Sequence, residues 1–175
     1  MSRISTINSI LSDNRVQEIF TEIDATFGRV PNLFKTYAHH PPLLEANWNK
    51  VKQVMLTGVL PRKVKESVAF LVSKDNSCQY CIAAHTGALQ SIGISDDEIT
   101  MIETDLAQAD FSPKEKALIE LARQANKAPL KVGDELLASC RIAGAADAEI
   151  VEILGVMELF TAFNRFLDTL QVELG

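Results

Sequence analysis

Cysteine is scarce: three in 175 residues, too few for the disulfide framework that holds small secreted domains together. No apolar run reaches the roughly 20 residues of a membrane span. Basic charge is in deficit, 17 Lys and Arg against 23 Asp and Glu for a net charge of −6. That balance argues against nucleic acid or an anionic membrane as partner. The opening residues Met1-Ser2-Arg3-Ile4-Ser5-Thr6 lack the basic-then-apolar pattern of a secretory leader, so a cytoplasmic location is expected. Period-2 runs of β-branched residues bounded by turns are missing too, which leaves an all-α fold as the expectation.

What is present is apolar: 47% hydrophobic and 23% charged residues, with a mean hydropathy of +0.07. Such a chain folds as a globule with apolar surface to spare, which suggests contacts between subunits. Helical periodicity runs from Asp13 to Phe27, through Val16, Ile19, Phe20 and Ile23. A short helix over Asn32 to His39 follows, with His39 and His40 as C-terminal caps, and His40-Pro41-Pro42 breaks it. Leu43 to Leu56, Arg62 to Lys74 and Cys78 to Ile92 continue the helical pattern, divided by Gly58, Pro61 and the turn Asp75-Asn76-Ser77. That turn also offers an N-cap. Ser95-Asp96-Asp97-Glu98 reads as a capping box opening a helix to about Thr104. The last stretch, Asp147 to Leu174, carries apolar residues beyond one stripe and is expected to be buried on several sides.

The second half repeats the first. A shift of 51 positions lays Lys63 on Lys114, Lys65 on Lys116, Gly93 on Gly144, Asp96 on Asp147 and Glu98 on Glu149. This predicts one domain over 1–175: an extension over 1–40, a unit over about 41–104 and a degenerate second unit over about 111–174. The same shift turns Glu66 into Ala117, Cys78 into Pro129, Cys81 into Val132 and His85 into Leu136. Whatever chemistry those four residues perform belongs to the first unit alone.

Cys78, Cys81 and His85 fall on one face of a helix at about 100° per residue. A cysteine attacks as its thiolate, and the start of a helix favours negative charge at Cys78 and, more weakly, at Cys81. His85 is a proton acceptor or an imidazolium partner for them. If the two helices form a hairpin about Asp75-Asn76, Glu66 and His85 come to the same height, so a carboxylate can orient the imidazole. Two thiols permit oxidation of one to a sulfenic acid and its condensation with the other. Tyr80, with Phe70, is a candidate for the pocket wall. Zinc lacks a complete ligand set: no second CxxC or HxxxH joins Cys78, Cys81 and His85. No metal and no other cofactor is expected, and Cys140 reads as a core residue.

Glu66, eleven intervening residues, then Cys78-x-x-Cys81-x-x-x-His85 resembles the signature of the alkylhydroperoxidase-D-like (AhpD-like) branch of the carboxymuconolactone decarboxylase family. Val30-Pro31-Asn32-Leu33-Phe34 and the helices after it are similar to its peroxidase-related subgroup. The resemblance implies an all-α trimer or hexamer that reduces hydroperoxides through a redox-active Cys78–Cys81 disulfide, reset by a dithiol or protein reductant. It matches Cys81 to the peroxidatic thiol, Cys78 to the resolving one, and Glu66 with His85 to a proton relay. Helix-end position gives Cys78 the lower pKa instead, so the roles of the two thiols stay open here. The best-known members carry a histidine where this chain has Tyr80, a phenol that donates a hydrogen bond but is no base near neutral pH. Two other readings stand beside the peroxidase: a decarboxylase of the same fold, which would not use the CxxC pair, and a non-enzymatic redox sensor or interaction protein.

Overall fold

The computed structural model describes residues 2–8 and 14–175, and the described residues contain nine α-helices and no strand. In chain order they are α1 (Asn14–Phe27), α2 (Asn32–Tyr37), α3 (Pro41–Val51), α4 (Arg62–Asp75), α5 (Gln79–Ser91), α6 (Asp96–Thr104), α7 (Pro113–Lys127), α8 (Asp134–Ile142) and α9 (Asp147–Leu170). Asp13, the expected start of the first helix, lies outside the described residues. A helix α4 buried on nearly every side forms the centre and packs on α5, α7 and α9. Trp48, Leu71, Leu118, Ile153 and Phe163 fill the core around it, each at most 2% exposed.

Several boundaries differ from the sequence pattern for local reasons. The helix expected over Leu43 to Leu56 divides into α3 and a π-helical turn, Lys52–Leu56. The carbonyls of Val54 and Thr57 accept from the ammonium of Lys65, a side chain only 2% exposed. His40 caps the start of α3, its Nδ1 accepting from Leu43 N–H at 3.4 Å, rather than the end of α2. Ser95 caps α6 through Glu98 N–H, but the Glu98 carboxylate does not return to Ser95. It accepts the Asp110 N–H at 2.8 Å and faces Lys63 at 3.4 Å. The complete capping box is at Ser112 and Glu115.

Several features of these elements correspond at a shift of 51 positions. Arg62 and Asp96 open α4 and α6, and their counterparts Pro113 and Asp147 open α7 and α9. Lys63–Glu98 at 3.4 Å recurs as Lys114–Glu149 at 2.7 Å. Gly93 and Gly144 both adopt left-handed φ, 85° and 95°, where each chain turns out of a helix. Asp75 pairs with Lys127 at 2.9 Å, and Asn76 pairs with Asn126. Under the shift, Asp75 corresponds to Asn126 and Asn76 to Lys127, so these are one contact made twice. Such reciprocity is what a local two-fold axis produces.

Candidate active site

The turn between α4 and α5 sets the first sulfur. Ser77 sits at φ 62°, its N–H donating to Lys74 C=O while Cys78 N–H donates to Ser73 C=O, both at 3.0 Å. This is a Schellman ending with serine in the left-handed place that glycine usually takes. It makes Cys78, not a residue of the preceding turn, the N-cap of α5. Cys81 follows within the first turn and His85 one turn later. Both cysteines are unbridged and buried, Cys78 completely and Cys81 at 4% exposed.

The hairpin brings Glu66 to His85 as the register predicts: His85 Nδ1 lies 2.8 Å from Glu66 Oε2, both side chains about 10% exposed. Arg62 Nε approaches the other carboxylate oxygen at 3.6 Å. Burial pushes the Glu66 carboxyl up, but the hydrogen bond and charge of His85, with Arg62, outweigh it and hold the group below the usual carboxylate range. An ionised carboxylate only accepts, so Nδ1 carries the proton in this contact and Nε2 is left as the exchangeable nitrogen. Phe160 of α9 packs edge-on against the imidazole, 4.3 Å between centroids at 85°, and fixes its plane.

Cys81, Glu66, His85 and Tyr80 line one cavity of about 540 Å³, walled mainly by apolar residues including Leu33, Phe34, Met55, Phe160 and Phe163. Arg29 and Arg62 supply its positive charge. Cys78 does not reach the cavity and lies behind Cys81. Phe70 also stays out: it is a 3% exposed core residue with Lys74 Nζ 5.9 Å from its ring centre, which corrects its expected place in the pocket wall. Phe70 shares the stripe of Glu66 but sits one turn, about 6 Å, further along α4, beside Lys74.

The two sulfurs compete for one proton. A hydrogen bond from Cys81 pulls the Cys78 thiol down, against burial, and the Cys81 N–H adds to it. The same bond, then burial, pushes the Cys81 thiol up, while Asn164 and Ser73 act the other way. In this arrangement Cys81 is the donor and Cys78 the acceptor, which favours the thiolate form at Cys78. Tyr80 uses its hydroxyl oxygen to accept Leu33 N–H at 3.2 Å. Its phenol proton remains available to donate toward the cavity, and burial first of all raises its pKa. Tyr80 thereby ties the start of α2 over the site.

Two polar clusters escaped the sequence reading. Lys65 meets Glu152 at 2.6 Å, and Glu152 in turn accepts from Val59 and Leu60 N–H groups at 2.9 and 3.2 Å. Ser73 and Asn164, both at most 1% exposed, are joined by a 3.0 Å hydrogen bond beside the cysteine pair. Neither follows a motif spacing, because partners from α4 and α9 meet only in the folded chain. Among the described residues, no group of three or more His, Cys, Asp and Glu side chains is placed to hold a metal ion. None of the described helices is long and apolar enough to cross a membrane.

The carboxymuconolactone decarboxylase family profile matches residues 41–124, the segment that carries all four residues of the motif. Over 81 residues the chain is 35% identical to an alkyl hydroperoxide reductase of Mycobacterium tuberculosis, an alignment covering 46% of this chain and 24% of that protein. The chain thus spans about a quarter of that relative's length. Solved structures of uncharacterized peroxidase-related proteins from Silicibacter sp. TM1040 and Ralstonia eutropha JMP134 superpose with a TM-score of 0.88 each. Their identities are 22% and 24%, over 99% of this chain and 92% of each of theirs. At that distance the likeness shows the all-α fold.

Proposed function

Because residues 41–124 match the carboxymuconolactone decarboxylase family, we propose that the CxxC pair of this chain makes it a thiol-dependent hydroperoxide reductase. The observation that carries this reading is the shared cavity: Cys81 and a 2.8 Å Glu66–His85 pair open onto the same mostly apolar space. Access and charge point to different sulfurs, and access decides the first step. A peroxide in the cavity meets Cys81, whereas Cys78 is fully buried behind it. Return of the shared proton from Cys81 to Cys78 places the negative charge on the sulfur that faces the substrate.

The Cys81 thiolate then attacks one peroxide oxygen, and the O–O bond breaks. Two electrons pass from sulfur to the peroxide, and the leaving alkoxide takes a proton from His85 Nε2 to depart as an alcohol. Glu66, ionised and bonded to Nδ1, stabilises the imidazolium that supplies it. The Cys78 sulfur attacks the resulting Cys81 sulfenic acid, a disulfide forms and water leaves. A dithiol or protein reductant returns two electrons and two protons. Homo-oligomerisation is part of the same proposal, supported by exposed Leu130, Ile142 and Val151 and read by light scattering.

Hydroperoxide consumption coupled to dithiol oxidation tests it. Cys81→Ser removes turnover altogether, and Glu66→Gln and His85→Gln each lower kcat/KM by roughly 10²- to 10⁴-fold. Wild-type rates in all three variants sink the proposal. Activity on a carboxymuconolactone-type substrate that survives loss of both cysteines favours the decarboxylase reading instead. A disulfide that forms with peroxide but does not turn over favours a sensor.

A further inference from the structure

The polar groups behind the cysteine pair form a continuous chain through an otherwise apolar core. Asn126 of α7 and Asn76 exchange amide hydrogen bonds at 3.1 and 3.2 Å. Thr161 of α9 donates to Asn126 Oδ1 at 2.8 Å. Asn76 Nδ2 also donates to Asn164 Oδ1 at 3.0 Å, and Asn164 Nδ2 donates to Ser73 Oγ at 3.0 Å. The Ser73 hydroxyl donates to Ala69 C=O at 2.7 Å. Every link has a direction. Because Asn164 must present its oxygen to Asn76, its NH₂ is forced toward Ser73 and the sulfurs.

An amide NH₂ has two protons, and Ser73 uses one. The second belongs to a residue 1% exposed, where leaving a donor unmade is costly. The Ser73 hydroxyl has a single proton, directed to Ala69 C=O, whereas the Asn164 amide has one to spare. We infer that Asn164 gives its second N–H to the Cys81 sulfur and so stabilises the charge on the attacking thiol. The Cys81 thiol is pulled down by Asn164 and Ser73 against the upward effect of Cys78 and burial, in keeping with this geometry. The remaining chain, Asn76 to Asn126 and Thr161, holds the amide in that orientation. On this view the second helical unit, which has no thiol at the matching positions, supplies Asn126 and Asn164 to the chemistry of the first.

The inference rests on the Cys81-attack reading, and it is tested by a property that does not require peroxide turnover. In a Cys78→Ser background the Cys81 thiol is titrated by thiolate absorbance and by its iodoacetamide alkylation rate across pH. The other groups acting on this titration are His85 and Tyr80 on α5, Glu66 and Arg62 on α4, Arg29 before α2 and, beside position 78, Asp168 on α9, all left unchanged. Asn164→Asp keeps the oxygen that Asn76 needs and removes both N–H donors. It is expected to raise the thiol titration by about one pH unit and slow alkylation at neutral pH on the order of tenfold. Asn164→Ser shortens the side chain away from the sulfur without adding a charge, and serves if the aspartate variant does not fold. It is expected to slow alkylation similarly. Titration and alkylation unchanged within about twofold in whichever variant folds overturn the inference. Absence of peroxide reduction in the wild type, with these shifts intact, overturns the peroxidase reading alone.

Discussion

The hairpin α4–α5 and the segment from α7 to α8 correspond at a shift of 51 positions, and only the first holds the Glu, Cys, Cys and His side chains. Both begin with a lysine that pairs with a glutamate 35 residues later, Lys63 with Glu98 and Lys114 with Glu149. They part at the turn. In the first, Ser77 takes a left-handed φ of 62° and delivers Cys78 to the N-cap of α5. In the second, the counterpart Ala128 is extended at φ −153°, and Pro129 opens a short 3₁₀ turn before α8 begins at Asp134. The helix start that concentrates thiols in the first unit has thus moved four residues on in the second. A scaffold can be repeated without its site, because the site depends on one turn and four side chains, whereas the scaffold depends on apolar burial.

The sharpest way to break the comparison is at the second repeated lysine. Lys65 is buried with Glu152, while Lys116 is half-buried and donates to Ala107 C=O at 2.6 Å. Lys65→Met leaves a carboxylate and two carbonyls without their cation, and costs about 3–5 kcal/mol. Lys116→Met returns one carbonyl to solvent and costs about 0.5 kcal/mol or less. Urea unfolding of the two variants measures the difference directly. Equal shifts of the midpoint would mean the two units are anchored alike, against the burial seen at Lys65.

The contrast between these lysines also marks what the sequence allows one to see. Periodicity and turn residues give helices, because burial of one face is a local pattern. The Glu66–His85 contact was within reach for the same reason: a tight hairpin converts residue counts into heights, and the 2.8 Å distance follows. Lys65 with Glu152, and Ser73 with Asn164, join positions 87 and 91 residues apart across α4 and α9, which no spacing rule connects. Phe70 went to the core rather than the pocket although it shares the stripe of Glu66, because one further turn along α4 carries it past the cavity. The lysines, glycines and capping acids that match at a shift of 51 all occupy structural positions, at helix starts and turns.

A middle-sized effect separates the two halves of that reciprocal contact by pH. Asp75 accepts from Arg123 at 2.9 and 2.7 Å and pairs with Lys127, whereas its counterpart Asn126 meets Asn76 without charge. Burial pushes the Asp75 carboxyl up, but Arg123 and Lys127 prevail and hold it below the usual range. A group depressed in the folded state contributes stability that is present above its unfolded pKa and lost as pH falls through the folded one. Asp75→Asn should therefore cost about 1–2 kcal/mol at neutral pH, a difference that shrinks below about pH 4. Asn126→Ala should show a penalty that does not change over the same range. A pH-independent penalty at Asp75 would remove the distinction between the charged and uncharged copies of the contact.

The smallest effect bears on whether the repeat is equivalent where it looks most alike. Lys63–Glu98 and Lys114–Glu149 are both partly exposed, the lysines 21% and 35% and the glutamates 24% and 13%. Solvent screening limits such pairs, so Lys63→Met and Lys114→Met should each cost about 0.5 kcal/mol and less in high salt. Lys63 has the larger loss of the two, since its ammonium also sits 4.5 Å from the Phe111 ring centre and donates to Asp110 C=O at 2.7 Å. Neither substitution touches the cavity, so turnover should stay at the wild-type rate in both. Thermal unfolding at low and high salt, with the peroxide assay alongside, reads all three expectations. A loss of activity with Lys63→Met alone would mean that the shared scaffold of the first unit is tuned to its site in a way the second is not.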